Sequence, residues 1–217
     1  MNMKKLVLLM LLVGNFYSPK SQAAYYRFWV GYKKEDVTQD HFQNGLNSSF
    51  FGETIRVGKG KGLISYQPAI LDGKGGKPSE VALVAYESVA KYNEIRNTPA
   101  GKAYGEMHWD YFDKTKSKSA VPEEFHGSLE DGHAYDLFPD FSSWKNAKTF
   151  VKVSKTKNIV SDSALVGHLV AVSGGYTIEF LAYPTDLAPD TRSMIDLQSI
   201  SVGNRIIGIN QGANFQF

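Results

Sequence analysis

The sequence predicts an α+β fold: a β-α-β-β-α-β core carrying a long inserted loop, followed by an all-β extension. Three observations lead there. Short runs rich in aromatic and β-branched residues alternate with two stretches of helical spacing. Each helical stretch opens on a Ser or Thr placed to cap it. After residue 112 the helical spacing does not return, and the later runs are strand-like.

The elements follow in order. Tyr25–Lys33, with aromatic residues at 25, 26, 28, 29 and 32, reads as a first strand. Thr38 caps a helix expected to run to about Gly52, because Phe42, Leu46 and Phe50 recur every four residues. Glycines at 58, 60 and 62 break the chain before a second strand over Leu63–Leu71, and 72–78 is a turn by composition. Val81–Tyr86 is a short apolar run, read as a third strand buried on both faces. Ser88 caps a helical piece to Arg96. Thr98 caps the next, with Pro99 at the first helical position, where a missing N–H costs nothing. Residues 113–143 lack periodicity and read as the inserted loop. Alternation over Ala147–Val153 marks a fourth strand, expected to complete the core. Ala164–Val172 and Tyr176–Tyr183 form a hairpin around Ser173-Gly174-Gly175, and 194–202 and 205–209 are two more strands.

The N-terminus reads as a signal peptide. Lys4 and Lys5 precede the apolar run Leu6–Val13, Gly14 and Pro19 break it, and Ser21-Gln22-Ala23 offers small residues for cleavage. The expected organisation is therefore a signal peptide over 1–23, an α+β domain over 24–157 and a β-rich extension over 158–217. The expected location is the periplasm or the outside of the cell. Loss of Lys4, Lys5 and Lys20, from a segment with no Asp or Glu, takes the formal charge from +2 to −1. A nearly neutral mature chain has no global field to collect nucleic acid. It also has no later apolar run long enough to cross a membrane as a helix. The absence of cysteine means the core holds without disulfides.

The order β-α-β-β-α-β is the split βαβ, or ferredoxin-like, arrangement. Val81–Tyr86 running into Glu87-Ser88, then Ala90, Tyr92 and Thr98-Pro99-Ala100-Gly101-Lys102-Ala103-Tyr104 with His108 behind, resembles the dimeric α/β-barrel superfamily. That group includes antibiotic-biosynthesis monooxygenases, EthD-like and NIPSNAP-like proteins. The resemblance covers residues 25–153. It implies sheets paired across a two-fold axis in a homodimer, and a pocket between each sheet and its helices. Activities known there include cofactor-free oxidation of small aromatics. This chain departs in its export, its insert and its β tail, and the last two are placed to cover the usual dimer face.

Candidate chemistry centres on Tyr104-Gly105-Glu106-Met107-His108-Trp109-Asp110-Tyr111. On a helix Tyr104, His108 and Tyr111 share one face. His108 suits a general base near neutral pH, with Tyr104 or Tyr111 orienting a substrate. A plain helix end, with His in the last turn and aromatics packed on the sheet, explains the same residues. Phe28 and Tyr32 share one face of the first strand, and with Trp109 they are candidate contacts for a small apolar or aromatic ligand; Trp29 points the other way. Carboxylates and imidazoles at 123, 124, 126, 130, 131, 133, 136 and 140 show no recognised ligand spacing. No metal site is expected, and nothing in the residues calls for a cofactor. The lysines at 145, 148, 152, 155 and 157 offer that acidic stretch a strand to fold back on. No Cys or Gly-x-Ser-x-Gly elbow supports nucleophilic catalysis. The C-terminal Gly212-Ala213-Asn214-Phe215-Gln216-Phe217 resembles the last strand of an outer-membrane barrel, a rival reading of the whole chain.

Overall fold

Backbone pairing turns the strand-like runs into two sheets. The computed structural model describes residues 24–186 apart from 142, 143, 145 and 146. The signal segment, the strands expected at 194–202 and 205–209, and the barrel-like end all lie outside the described residues. β1 (Tyr25–Gly31) pairs antiparallel with β3 (Glu80–Tyr86), Tyr25 opposite Tyr86 and Gly31 opposite Glu80. β2 (Leu63–Ile70) lies along the other edge of β3. β4 (Lys118–Ala120) closes the β1 edge, so the order is β2-β3-β1-β4. This is the ferredoxin-like sheet that the β-α-β-β-α-β pattern implies.

The fourth strand of that sheet is not the alternating segment expected at 147–153. That segment is β7 (Lys148–Ser154), and it belongs to a second sheet ordered β5-β6-β8-β9-β7. Its alternation is present, Thr149, Val151 and Val153 being buried between half-buried neighbours. Alternation, however, reports one apolar face and names no partner strand. The true edge strand β4 is three residues long, too short to show a period. β5 (Glu123–Glu124) and β6 (Ala134–Asp136) are shorter than any periodic window as well, so the stretch read as loop contains three strands.

β8 (Gly167–Ser173) and β9 (Tyr176–Tyr183) form the expected hairpin. Gly174 and Gly175 both have positive φ, 58° and 75°, as a two-residue turn matched to strand twist requires. The neighbour order β8-β9-β7 repeats β2-β3-β1. The second sheet takes β5, β6 and β7 from before residue 157 and β8 and β9 from after it, so the boundary expected there does not divide one sheet from the other. The acidic insert reaches this sheet through β6, which pairs with β8 and not with the lysine-rich β7.

The inner faces of the two sheets meet. Phe28, Val30, Val81 and Leu83 of the first pack with Val151, Leu169, Ile178 and Phe180 of the second, all buried. Phe28 stands edge-on to Phe180, ring centroids 5.1 Å apart. The inner face of the first sheet is therefore covered by the chain's own second sheet.

The helices cover the outer face of the first sheet. Thr38 caps α1 (Gln39–Gly45) by accepting the His41 N–H. A π-helical turn over Leu46–Phe50 leads directly into α2 (Phe51–Gly58), so the helical stretch outlasts the end expected at Gly52. The reason is a register shift. The four-residue stripe of Phe42, Leu46 and Phe50 stops at the π turn, and Phe51, Thr54 and Val57 continue the buried side. α3 (Val89–Asn97) and α4 (Pro99–Tyr111) meet at Thr98, which ends one helix and caps the next by accepting the Gly101 N–H. A Cβ at Gly101 would lie 2.0 Å from the Ile95 carbonyl oxygen, so only glycine permits this joint. Neither sheet closes on itself, which sets the barrel reading aside for the described residues. Among those residues no helix is long and apolar enough to cross a membrane.

Candidate functional site

A pocket of about 630 Å³ lies between the first sheet and its helices. Its floor is the outer face of the sheet: Arg27 and Trp29 of β1, Tyr66 of β2, and Glu80, Ala82 and Val84 of β3. Its roof is Phe50 of the π turn, Thr54 of α2, Ile95 of α3, and Tyr104 and His108 of α4. The period of two along the strands decides which side chains reach it. Even positions on β3 and odd positions on β1 face the helices, while Phe28, Val30, Val81 and Leu83 face the second sheet.

Glu80 is the most unusual group in the pocket. It has no solvent exposure, and neither carboxyl oxygen has a hydrogen-bond partner. The indole N–H of Trp29 and the hydroxyl of Tyr66 are buried and unpartnered beside it. Burial pushes the carboxyl up to about 8, and the nearby Trp29 and Tyr66 donors only soften that effect. Glu80 is therefore protonated at neutral pH, able to donate one hydrogen bond and accept another. Burial likewise holds the Tyr66 and Tyr104 phenols well above their ordinary value.

His108 sits in an aromatic box, its ring edge-on to Tyr104, Phe50 and Trp29 at centroid distances of 4.7, 4.8 and 5.1 Å. Its Nδ1 lies 3.0 Å from the Tyr104 carbonyl oxygen. A carbonyl only accepts, so Nδ1 carries the proton and Nε2 keeps its lone pair. Burial lowers the imidazole below its ordinary value, partly offset by the Tyr104 and Gly105 carbonyls. His108 is thus neutral at pH 7, with an acceptor nitrogen available. The Thr54 hydroxyl donates to the Phe50 carbonyl at 3.1 Å, which leaves Tyr104 Oη to donate to Thr54 Oγ1 at 2.6 Å.

Of the candidate residues, His108, Tyr104 and Trp109 line this pocket. Tyr111 does not; it stacks on His41 and packs against Gly45. The helix face is shared as expected, but α4 ends at Tyr111, beyond the pocket wall. Phe28 and Tyr32 are also corrected. They do share a face, but it is the one against the second sheet, where Phe28 meets Phe180 and the Tyr32 hydroxyl donates to the Ser173 carbonyl at 3.1 Å. Their neighbour Trp29 occupies the floor. Sequence reading missed Glu80 and Tyr66 altogether. The signal for Glu80 was a carboxylate directly heading an apolar run read as buried on both faces.

The second sheet also buries a glutamate on its outer face. Glu179 has no solvent exposure, like Glu80. His168 Nε2 donates to its Oε2 at 2.8 Å, the Val160 N–H donates to the same oxygen at 2.7 Å, and the Lys152 ammonium lies 3.4 Å from Oε1. Burial alone would raise this carboxyl, but these bonds and the charges of His168 and Lys152 outweigh it and hold it below its ordinary value. Among the described residues no group of three or more metal-ligating side chains forms.

Fold and site together define a ferredoxin-like α+β protein with an aromatic pocket between sheet and helices. Solved structures of this kind are similar to it. They include an EthD-family protein of Bacillus halodurans, at 15% identity, 46% of this chain, 99% of that one and a TM-score of 0.38. A provisionally named monooxygenase of Fusobacterium nucleatum covers more: 82% of this chain and 81% of its own, at 11% identity and a TM-score of 0.42. Another, from Lactobacillus acidophilus, matches over 81% and 87% at 8% identity and a TM-score of 0.40. No family model matches the chain, and no curated protein matches it.

Proposed function

We propose that the chain binds a small, mostly apolar, ring-containing molecule in the pocket between the first sheet and its helices. One observation carries this reading: Glu80, Tyr66 and Trp29 are buried polar groups that face one another without reaching bonding geometry, at the floor of an otherwise aromatic cavity. Buried polar groups in folded proteins are nearly always satisfied, so an unsatisfied group lining a cavity calls for an occupant that satisfies it. The volume suits a compact organic molecule. Phenylnaphthylamine, an uncharged apolar dye that brightens on burial, is the probe. It is expected to bind the protein and to be excluded by Gly105→Phe. Gly105 lines the pocket, and a Cβ there meets nothing within 4 Å. Failure of the dye to bind, or equal binding to the variant, overturns the reading.

A second reading makes the pocket an active site of the cofactor-free monooxygenase or isomerase type, with His108 as base and Tyr104 orienting the substrate. The neutral imidazole with its acceptor Nε2 favours it. His108→Gln is then expected to abolish turnover while the protein still binds the dye; retained turnover sinks the catalytic role. The signal-like segment 1–23 supports a further part of the proposal, that the pocket works in the periplasm or outside the cell. Mature protein beginning at Ala24 is the expected result of N-terminal sequencing, and retention of Lys4 and Lys5 would contradict it.

A further inference from the structure

The two ends of the pocket differ in chemistry. Glu80, Tyr66 and Trp29 occupy the closed end, where nothing is exposed at the carboxyl. Arg27 stands at the other end, beside Val84 in the ladder. Val84 lies four positions along β3 from Glu80, a distance of about 13 Å along an extended strand. The exposed part of the lining carries two more cations, Arg96 and Lys102, against a single carboxylate, Glu106. None of the three cations, Arg27, Arg96 and Lys102, has an acidic group within ion-pair distance among the described residues.

Arg27 is held in place by neutral groups only. Its Nε donates to Ser119 Oγ at 3.0 Å, its Nη1 donates to Tyr25 Oη at 3.1 Å, and the guanidinium lies 4.9 Å from the centroid of the Tyr92 ring. A half-buried guanidinium oriented this way is fixed in geometry but uncompensated in charge. Cations clustered at the mouth of an apolar cleft focus an attractive field on an anion. A protonated Glu80 at the far end adds no opposing charge.

We propose that the pocket takes an elongated aromatic or fused-ring monoanion, its carboxylate or sulfonate at Arg27 and a hydroxyl or carbonyl at its other end meeting Glu80 and Tyr66. The inference rests on the pocket being the binding site, and its test keeps the two apart. Anilinonaphthalene sulfonate and phenylnaphthylamine share one ring system, and only the first carries a charge. The sulfonate is expected to bind at least about tenfold tighter at low salt, with the gap closing as salt rises. Arg27→Gln should remove most of that gap, read as the ratio of the two dyes' affinities in the same variant. Lys102→Glu, at an exposed position, should remove part of it without touching the fold. Equal affinities, or a gap that survives both variants, overturn the charge assignment and leave the pocket reading standing. If neither dye binds, or Gly105→Phe affects neither, both readings fail together.

Discussion

Glu80 and Glu179 occupy matching places, each fully buried on the outer face of one of the two sheets, yet they are held in opposite protonation states. Burial acts the same way on both, against the charged form. The difference is in what the rest of the chain supplies. Glu179 receives an imidazole N–H, a backbone N–H and a lysine charge, and its carboxyl stays ionised. Glu80 receives none within bonding geometry and is pushed up to about 8. One sheet spends its buried carboxylate on its own cohesion, while the other leaves its carboxyl open to an occupant of the pocket.

The largest effect should come from breaking the satisfied pair. His168→Ala strips Glu179 of its strongest partner and is expected to cost about 3–5 kcal/mol, roughly 10 °C in Tm. A melting point within 2 °C of the parent would show the pair to be incidental. Because Glu179 is held below its unfolded value near 4.5, its contribution is fully present above that value and is lost as pH falls through the folded one. Acid unfolding of the parent should therefore be steeper than that of Glu179→Gln, monitored by denaturant titration from neutral to acid pH.

Glu80 should show the opposite sign. Its folded state holds a proton that the unfolded chain releases near 4.5, so stability is full below that pH and declines as pH rises toward about 8. Glu80→Gln should match the parent in acid and exceed it above pH 8, by about 5 °C. A parent whose Tm does not fall between those limits would mean that Glu80 has an unseen partner. The smallest effect sharpens the picture of the roof. Tyr104→Phe removes the bond to Thr54 and should cost about 1 kcal/mol, as should Thr54→Val, with the double variant little worse than either.

The helix-covered half was the more legible of the two. Thr38, Ser88 and Thr98 cap where expected, and β1, β2 and β3 lie on the runs that named them. The candidate helix likewise supplied His108 and Tyr104, because a period of 3.6 fixes which residues share a side. The floor was harder. Phe28 and Tyr32 share one side of the first strand, and only the packing of the second sheet shows that this side is the closed one. Tyr66 sits in a run whose two faces are both buried, so no polar alternation marked it.

Local physics thus decided what could be read along the chain: the caps, the Gly174-Gly175 hairpin, the strand cores and the α+β class. Tertiary structure alone decided that β4 and not β7 completes the first sheet, that the second sheet covers its inner face, and that Glu80 goes without a hydrogen bond while Glu179 is bonded to His168 and Val160. Caps and turns depend on neighbours a few residues apart, which a sequence displays. Strand partners and buried hydrogen bonds join residues far apart in sequence, such as Phe28 and Phe180, and a period of two says only that a face is buried, never against what.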